Sequence, residues 1–465
     1  MTAPTILDEI VQAKHRQLES QKAQLSLETI KDGLQHSDRD FFQALKSPSP
    51  AFILECKKTS PSKGLLRADF DLPAIASEYA MFASAISVLT EPEYFQGSLE
   101  NLGIVRKHAP QPLICKDFLI DPYQVYQARH FGADAVLLIL AILTDQQWRE
   151  MYELAKSLNM DAITEVSNES EMIRARELEA PIVGINNRNL RDMSIDLNTT
   201  RELANQLPED VLVISESGFY TNQQVRSMSD CSDGFLIGSS LMGHPNLAHA
   251  VKQIIFGDCK VCGLTRNEDA LAADQAGAVY GGVIFAEASP RRVSVEQANA
   301  VWADTNLIRV GVFQNHDADE IVGIVRSCGL DVIQLHGDED LGVIEQLSKE
   351  LGDGIQYFKA LTVGNLASAD DWLAASDGVR ILVDNRSEHV AGGTGEPFDW
   401  EQLPMIHREK MLVAGGVGPD NVAAAMRLGC CGVDMNSKLE IQPGVKSANL
   451  IRQAFEQIRN FRDDA

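Results

Sequence analysis

The segment AFILECKKTSPSKG, residues 51–64, joins an apolar run to a basic, serine-rich stretch. The run does not alternate with polar residues, which is typical of a strand buried on both faces in a parallel sheet. Glu55 and Lys57 are two residues apart at its end, so both side chains point to the same face. A surface ion pair would explain this spacing if it occurred once. The pattern recurs along the chain, which favours a functional site.

Apolar runs of this kind alternate with helical stretches throughout the sequence. In the first half they are 51–56, 85–89, 112–115, 135–139, 162–166, 182–185, 211–214 and 234–237. In the second half they are 260–264, 282–285, 308–313, 332–335, 357–360, 381–383, 411–414 and 432–435. Eight strand–helix repeats in each half predict an α/β protein with two tandem (β/α)8 barrels of the TIM type. A doubly wound open sheet is the alternative, because periodicity cannot show that a sheet closes.

The predicted domains are residues 1–255 and 256–465. The first carries an N-terminal helical extension, with Ile6, Leu7, Ile10 and Val11 on one face. A length of 465 residues fits two or three domains of ordinary size.

The chain is acidic, with 41 Lys and Arg against 66 Asp and Glu and a net charge of −25. This balance argues against nucleic acids and anionic membranes as partners, because both attract basic surfaces. Neither a membrane-spanning apolar stretch nor a secretory signal is expected, so we predict a cytoplasmic protein. Cys259 and Cys262 form a C-x-x-C motif, but it reads as strand, and we expect reduced cysteines and no metal site.

Polar residues occur where the predicted strands of the first half end, the place where barrels of this type carry their catalytic groups. They are Glu55, Lys57, Lys116, Glu165, Asn186, Arg188 and Glu216. Small residues after the last two strands, Ser217, Gly218, Gly238 and Ser239, leave backbone N–H groups free to hold a phosphate. Each feature alone has an ordinary surface explanation; their shared position at strand ends indicates a site.

The first half closely resembles indole-3-glycerol phosphate synthase. The motifs that carry the resemblance are 55–64 (ECKKTSPSKG), 89–95, 116–118 (KDF), 184–188 (GINNR), 215–218 (SESG) and 237–240 (IGSS). The resemblance implies closure of an indole ring from 1-(2-carboxyphenylamino)-1-deoxyribulose 5-phosphate, with loss of carbon dioxide and water.

The same resemblance implies roles for individual residues. Lys116 is the implied proton donor, Glu165 its acid/base partner, and Lys57, held by Glu55, the partner of the substrate carboxylate. The implied substrate-binding residues are Ser60, Asn186, Arg188, Glu216, the four phosphate-loop residues, and Phe95, Phe118, Leu137 and Leu190 around the aryl ring. How proton transfer divides among Lys116, Glu165 and Lys57 stays open.

The strand ends of the second half carry a different set of polar and small residues. Lys260 and Cys262 share one face at the end of its first strand. The others are Arg291, Gln334, His336, Asp384, Gly415, Gly416, Asn436 and Ser437. A strand cysteine is more often a small core residue, and His336 alone would suit a loop cap.

This half resembles phosphoribosylanthranilate isomerase through motifs at 260–265 (KVCGLT), 289–291 (SPR), 334–337 (QLHG), 392–400 and 415–416. The implied reaction is an Amadori rearrangement of an aminoaldose to an aminoketose. Asp384 is implied to protonate the ribose ring oxygen, and Cys262, as thiolate, to remove the C2 proton. Arg291 is implied to bind the anthranilate carboxylate, Gln334 and His336 to contact substrate, and Gly415, Gly416, Asn436 and Ser437 to hold phosphate. Lys438 departs from the small residue expected there.

The two implied reactions are consecutive, since the product of the isomerase is the substrate of the synthase. Proton transfer and electrostatics suffice for both, so no metal and no organic cofactor is expected. We expect a monomer whose partners are small phosphosugar–anthranilate molecules. The alternatives are a related phosphosugar isomerase, because phosphate loops are widely shared, and a non-catalytic barrel in one half.

Overall fold

The computed structural model describes residues 5–46, 50–189, 192–376, 378–384, 403 and 406–462. They group into two compact units, which are treated separately. Unit 1 comprises the described residues up to Tyr220, Gln224–Val251 and Arg462, and unit 2 comprises Thr221–Gln223 and Lys252–Phe461. Among the described residues, no helix has both the length and the apolar character needed to cross a bilayer.

The described residues of the first half contain ten strands. They are β1 Ala51–Cys56, β2 Thr59–Ser60, β3 Gly64–Leu65, β4 Ala85–Leu89, β5 Leu113–Lys116, β6 Ala135–Ile139, β7 Asp161–Val166, β8 Ile182–Asn186, β9 Leu212–Glu216 and β10 Gly234–Ile237. Eight of them close into a parallel barrel in the order β1-β10-β9-β8-β7-β6-β5-β4, while β2 and β3 form a small hairpin. Closure confirms the barrel over the open sheet.

The helices of the first half surround this barrel. They are α1 Ile6–Gln24, α2 Leu27–Lys31, α3 Phe41–Lys46, α4 Leu72–Tyr79, α5 Pro92–Phe95, α6 Glu100–His108, α7 Pro122–His130, α8 Asp145–Ser157, α9 Glu169–Glu177, α10 Asn198–Ala204, α11 Asn222–Ser227, α12 Ser239–Met242 and α13 Leu247–Phe256. The predicted extension is α1, which begins with a capping box between Thr5 and Asp8. The domain boundary predicted between residues 255 and 256 falls at the end of α13 and stays a prediction.

The inward-pointing side chains of several strands of this barrel change from apolar to charged towards the C-terminal end. In β1 the inner face reads Ala51, Ile53, Glu55, because successive side chains alternate between faces. Ala51 and Ile53 belong to the apolar core, and Glu55 follows one step higher. The same register places Lys116 above Ile114 and adds the strand-end polar groups of the other strands. The fold therefore gathers these groups at one end of a packed core.

The opposite end of this barrel is covered by α3. Phe41 and Leu45, both buried, belong to the same apolar cluster as the inward residues of the strands. Strand and helix thus form one continuous core beneath the charged end.

In the part of the second half that the structure describes there are also ten strands. They are β11 Lys260–Val261, β12 Tyr280–Ile284, β13 Ile308–Phe313, β14 Val332–Leu335, β15 Gln356–Leu361, β16 Val379–Val383, β17 Met411–Val413, β18 Gly432–Met435, β19 Glu440–Gln442 and β20 Val445–Lys446. The first eight close into a parallel barrel in chain order, and β19 and β20 form a hairpin. Around them lie α14 Asn267–Ala276, α15 Val295–Val301, α16 Ala318–Cys328, α17 Leu341–Leu351, α18 Ala369–Ala375, α19 Val422–Arg427 and α20 Ala448–Arg459, with 3-10 turns at Val363–Ser368, Arg408–Lys410 and Ser437–Leu439.

All sixteen predicted barrel strands are present, with ends displaced by one or two residues except in β11. That strand ends at Val261 rather than at residue 264. The cause is Gly263, whose φ of 69° is incompatible with an extended strand. The N–H of Cys262 still donates to the carbonyl of Met435 at 2.9 Å, so the thiol stays in register with the barrel.

Candidate active sites

The predicted site residues of the first half line one cavity at the C-terminal end of the unit 1 barrel. Leu190 is the exception, because it lies outside the described residues. The residues brought together are Glu55, Lys57, Ser60, Phe95, Lys116, Phe118, Leu137, Glu165, Asn186, Arg188, Glu216, Ser217, Gly218, Gly238 and Ser239. They come from all eight barrel strands or the segments after them, as expected for a site built at a barrel mouth.

Lys116 lies between two carboxylates in this cavity. Its Nζ forms an ion pair with Glu216 Oε2 and lies 3.5 Å from Glu165 Oε2. Burial alone would lower the pKa of Lys116, but the charges of Glu216 and Glu165 outweigh it and the pKa is raised. Burial raises the pKa of Glu216 to about 7, against the opposing effect of Lys116. Lys116 is therefore a charged proton donor at neutral pH. It is held by Glu216, a carboxyl group whose pKa lies close to neutral pH.

Two glycines leave the space that the carboxylates of Glu216 and Glu55 occupy. A Cβ at Gly184 would overlap the carboxylate of Glu216, and a Cβ at Gly238 would overlap that of Glu55. Glu216 Oε1 is buried and accepts no hydrogen bond from the described residues. An unpaired buried acceptor is costly, so this oxygen is suited to receive a hydroxyl from a ligand.

The other polar groups of the cavity are held by short contacts. Lys57 Nζ is 2.6 Å from Glu55 Oε1, which is the pairing that the sequence predicts. Asn186 Nδ2 donates to Glu165 Oε1 at 3.2 Å, and the N–H of Arg188 donates to Asn186 Oδ1 at 2.9 Å. These contacts fix both carboxylates in place before any substrate binds.

An aromatic wall and a small-residue segment complete the cavity. The rings of Phe95 and Phe118 are 6.1 Å apart and tilted, and buried Leu137 lines the same space. Ser217 and Gly218 both have positive φ angles, 68° and 94°, a backbone conformation that is uncommon for a residue other than glycine. Beside it, Ser240 Oγ is buried without a hydrogen-bond partner in the described structure.

The N-terminal helix contributes residues that the sequence reasoning did not assign to the site. Ile6, Leu7 and Ile10 of α1 line the cavity, although only their amphipathic spacing was noted. On the buried side of the same helix, Lys14 Nζ is 2.6 Å from Asp117 Oδ1, next to Lys116. A lysine on an apolar helix face usually extends to solvent. The position of Lys14 on that face was therefore the single sequence signal for a buried partner.

Replacing Lys14 with Met should detach α1 from the cavity, because it leaves the carboxylate of Asp117 buried without its cation. Breaking a buried pair in this way typically costs about 3–5 kcal/mol. We expect faster hydrogen–deuterium exchange of residues 6–24 and a higher KM for the unit 1 substrate. Lys22→Met is the matched control: it removes a more exposed pair from the same helix, that with Asp121, worth about 0–1 kcal/mol. If Lys14→Met and Lys22→Met had equal effects, the buried Lys14–Asp117 pair would not be what holds α1 at the cavity.

The predicted site residues of the second half line a cavity at the corresponding end of the unit 2 barrel. They are Cys262, Arg291, Gln334, His336, Asp384, Gly415, Gly416, Asn436 and Ser437. The motif at 392–400 lies outside the described residues. Lys438 is exposed and Asp434, which was not predicted, lines the cavity.

Three side chains from two strands approach one another on one side of this cavity. His336 Nε2 is 3.3 Å from Asp384 Oδ2, and Gln334 Nε2 is 3.1 Å from His336 Nδ1. Gln334 Oε1 is buried and accepts no hydrogen bond from the described residues. His336 therefore contacts a predicted catalytic carboxyl, which favours a site residue over a loop cap.

Arg291 is held on the other side by the β19–β20 hairpin. Its Nε and Nη2 donate to the two oxygens of Glu440 at 2.8 and 2.7 Å. Lys446 Nζ, also buried, bonds to Glu440 Oε1 at 2.8 Å and to Asn436 Oδ1 at 2.7 Å. The hairpin thus positions a predicted carboxylate-binding residue and a predicted phosphate-binding residue. Sequence reasoning missed Glu440 and Lys446, since their partners are set by the hairpin.

Comparison with known proteins agrees with this division into two sites. Residues 7–254 match the family described as indole-3-glycerol phosphate synthase, and residues 259–457 match that described as N-(5'phosphoribosyl)anthranilate (PRA) isomerase. The tryptophan biosynthesis protein TrpCF of Vibrio cholerae is 49% identical over 456 residues, covering 98% of this chain and 96% of its own. The chain belongs to the TrpCF family.

TrpCF proteins are similar to this chain over almost their whole length. The relative from Salmonella typhi is 48% identical over 457 residues, with 98% of this chain and 100% of the relative covered. A solved phosphoribosyl anthranilate isomerase from Thermotoga maritima is 28% identical, with a TM-score of 0.39, over 43% of this chain and 98% of its own. As a TrpCF protein, the chain is a bifunctional enzyme of tryptophan biosynthesis, a lyase in its first half and an isomerase in its second.

Proposed function

We propose that unit 2 converts N-(5-phosphoribosyl)anthranilate to 1-(2-carboxyphenylamino)-1-deoxyribulose 5-phosphate, and that unit 1 closes this product to indole-3-glycerol phosphate. The observation that carries the proposal is that each cavity gathers one complete acid/base set: Lys116, Glu165 and Glu216 in one, Cys262 and Asp384 in the other. Groups placed within reach of one reacting molecule are what general acid–base catalysis requires.

In unit 2, Asp384 gives a proton to the ribose ring oxygen. The C1–O bond breaks and the nitrogen lone pair forms an iminium bond to C1. Cys262, as thiolate, then removes the C2 proton. The electrons of the C2–H bond form a C1–C2 double bond, the iminium electrons return to nitrogen, and the resulting enol becomes the ketone. The contact of Asp384 with His336, at 3.3 Å, orients its carboxyl group for the first step.

In unit 1, Lys116 donates a hydrogen bond and then a proton to the carbonyl oxygen of the aminoketose. The aryl carbon that bears the carboxylate attacks this carbonyl carbon, and carbon dioxide leaves with the ring closed. The new hydroxyl group departs as water after a second protonation, while Glu165 removes the proton whose loss completes the indole. The raised pKa of Lys116, caused by Glu216 and Glu165 against the effect of burial, keeps the donor charged until negative charge develops on the substrate.

The remaining cavity residues bind substrate in this scheme. In unit 1, Lys57 pairs with the substrate carboxylate, Phe95, Phe118 and Leu137 contact the aryl ring, and the unpaired Oε1 of Glu216 accepts from a hydroxyl. Leu190 is proposed for the aryl ring, Ser60, Asn186 and Arg188 for polar substrate groups, and Ser217, Gly218, Gly238 and Ser239 for phosphate. In unit 2, Arg291 binds carboxylate, Gln334 contacts substrate, and Gly415, Gly416, Asn436 and Ser437 hold phosphate.

Substrate carrying carbon-13 in its carboxylate tests both steps in the full-length chain. With N-(5-phosphoribosyl)anthranilate as the only substrate, we expect the aminoketose to appear first. Indole-3-glycerol phosphate and labelled carbon dioxide should then form in equal amounts. Accumulation of the aminoketose without carbon dioxide would contradict the unit 1 assignment, and no consumption of substrate would contradict that of unit 2.

We further infer that the enzyme acts in the cytoplasm as a monomer, without nucleic acid. The net charge of −25 supports the absence of nucleic acid, because it repels polyanions. Light scattering during gel filtration should give the mass of one chain.

A further inference from the structure

Cys262 lies beside a second buried pair that the roles proposed so far do not use. Lys260, two residues earlier on the same face of β11, is fully buried and its Nζ is 2.9 Å from Asp434 Oδ2 on neighbouring β18. The strand register sets Lys260 directly opposite Asp434. Pairing repays the cost of burying a lysine only in part, so a buried Lys260–Asp434 pair next to a reactive thiol is a candidate for a role in the reaction.

Gly282 of β12 makes room for the lysine and the thiol together. A Cβ at this position would lie 2.9 Å from Cys262 Sγ and 3.3 Å from Lys260 Nζ. The ammonium group and the sulfur therefore both border the space that this glycine leaves open. Asp434 holds the ammonium from the far side through one oxygen, and its other oxygen, Oδ1, is buried and accepts no hydrogen bond within the described residues.

The thiol needs such a cation because its surroundings otherwise oppose ionisation. Burial raises the pKa of Cys262 and the charge of Asp434 adds to this, while the charges of Lys260 and, more weakly, Lys446 act against it. A cysteine that acts as a thiolate base needs a lowered pKa, so the raised pKa of Cys262 opposes this role.

The other charged groups around this cavity are already paired. Arg291 and Lys446 both bind Glu440, and Asp384 contacts His336. Lys260 is a cation that borders the same glycine as the sulfur.

We propose that Lys260 is a positioning residue for the isomerase reaction: its ammonium group, oriented by Asp434, stabilises the Cys262 thiolate. The lysine keeps its proton throughout. The thiol proton passes to solvent when the thiolate forms, and the thiolate later takes up the C2 proton of the substrate. The inference rests on the proposed role of Cys262 as the base.

The experiment measures the charge of Cys262 directly. The rate at which iodoacetamide alkylates Cys262 is followed against pH in the full-length chain, by mass spectrometry of the peptide that carries this residue. Lys260→Met should move the midpoint upward by at least about one pH unit, since a neighbouring cation is what lowers a thiol pKa. At pH 7.5 the same variant should lose about tenfold in isomerase kcat, in proportion to the lost thiolate, with KM little changed.

Lys252→Met is the matched control. Lys252 and Asp274 form another fully buried ion pair of unit 2 and do not line the cavity, so this variant reports the effect of losing a buried pair alone. It should leave the midpoint of alkylation in place. If Lys260→Met fails to fold, Lys260→Met combined with Asp434→Asn removes both charges and should give a smaller upward shift.

An unchanged midpoint in the Lys260 variants, or an equal shift in Lys252→Met, would overturn the proposal. An active Cys262→Ala enzyme would instead overturn the role of Cys262, whatever the alkylation shows. The two failures are therefore distinguishable.

Discussion

Lys116→Met will abolish indole formation while isomerisation continues, so the aminoketose will accumulate. The substitution removes the only proposed proton donor to the carbonyl, a loss worth about 10²–10⁴-fold in rate for general acid catalysis. It also leaves Glu165 and Glu216 facing each other without the cation between them, so one of the two carboxyls will hold a proton instead. The kcat of ring closure with purified aminoketose measures the effect.

Two observations control this prediction. Isomerase activity measured in the same preparation reports whether the chain is folded, because Lys116 lines only the unit 1 cavity. Lys107→Met removes a lysine from exposed surface on α6 and should change neither activity. If Lys116→Met retained ring closure within an order of magnitude, Lys57 would become the candidate donor.

Cys262→Ala will have the opposite effect, with loss of isomerisation and normal ring closure from supplied aminoketose. We expect a fall of about 10²–10⁴-fold, the usual contribution of a general base. Cys262→Ser should be almost as inactive, although it is nearly isosteric, because a hydroxyl group ionises far less readily than a thiol. Consumption of N-(5-phosphoribosyl)anthranilate, followed by its fluorescence, measures both variants.

Cys259→Ala is the control for this pair. Cys259 is another buried cysteine, three residues earlier, and it does not line the cavity. Its removal should leave isomerisation intact. Loss of both enzyme activities on changing Cys262 alone would contradict two independent sites.

The sequence predicted the barrel strands because continuous apolar runs reflect burial on both faces. It could not predict closure, which depends on pairing between β1 and β10, far apart in the chain. It placed Glu55 beside Lys57 because they share a strand face. The ion pair of Lys116 with Glu216 spans 100 residues and emerges only when the barrel brings the two strand ends together.

The missed charged residues share one physical property: each is buried by a tertiary partner. Lys14 is indistinguishable from a solvated helix lysine until Asp117 is opposite it. Likewise, Glu440 and Lys446 read as an ordinary turn until the hairpin places them against Arg291 and Asn436. The local sequence pattern indicates which positions are buried, but it does not indicate which buried charged side chains form pairs.

Phe41 and Leu45 pack against the inward side chains of the strands and fill the end of the unit 1 barrel that lies opposite the cavity. Among the described residues, the end that carries the strand-end polar groups is therefore the route for substrate and for product. The bulky indole product has to leave the cavity before the next substrate molecule can enter.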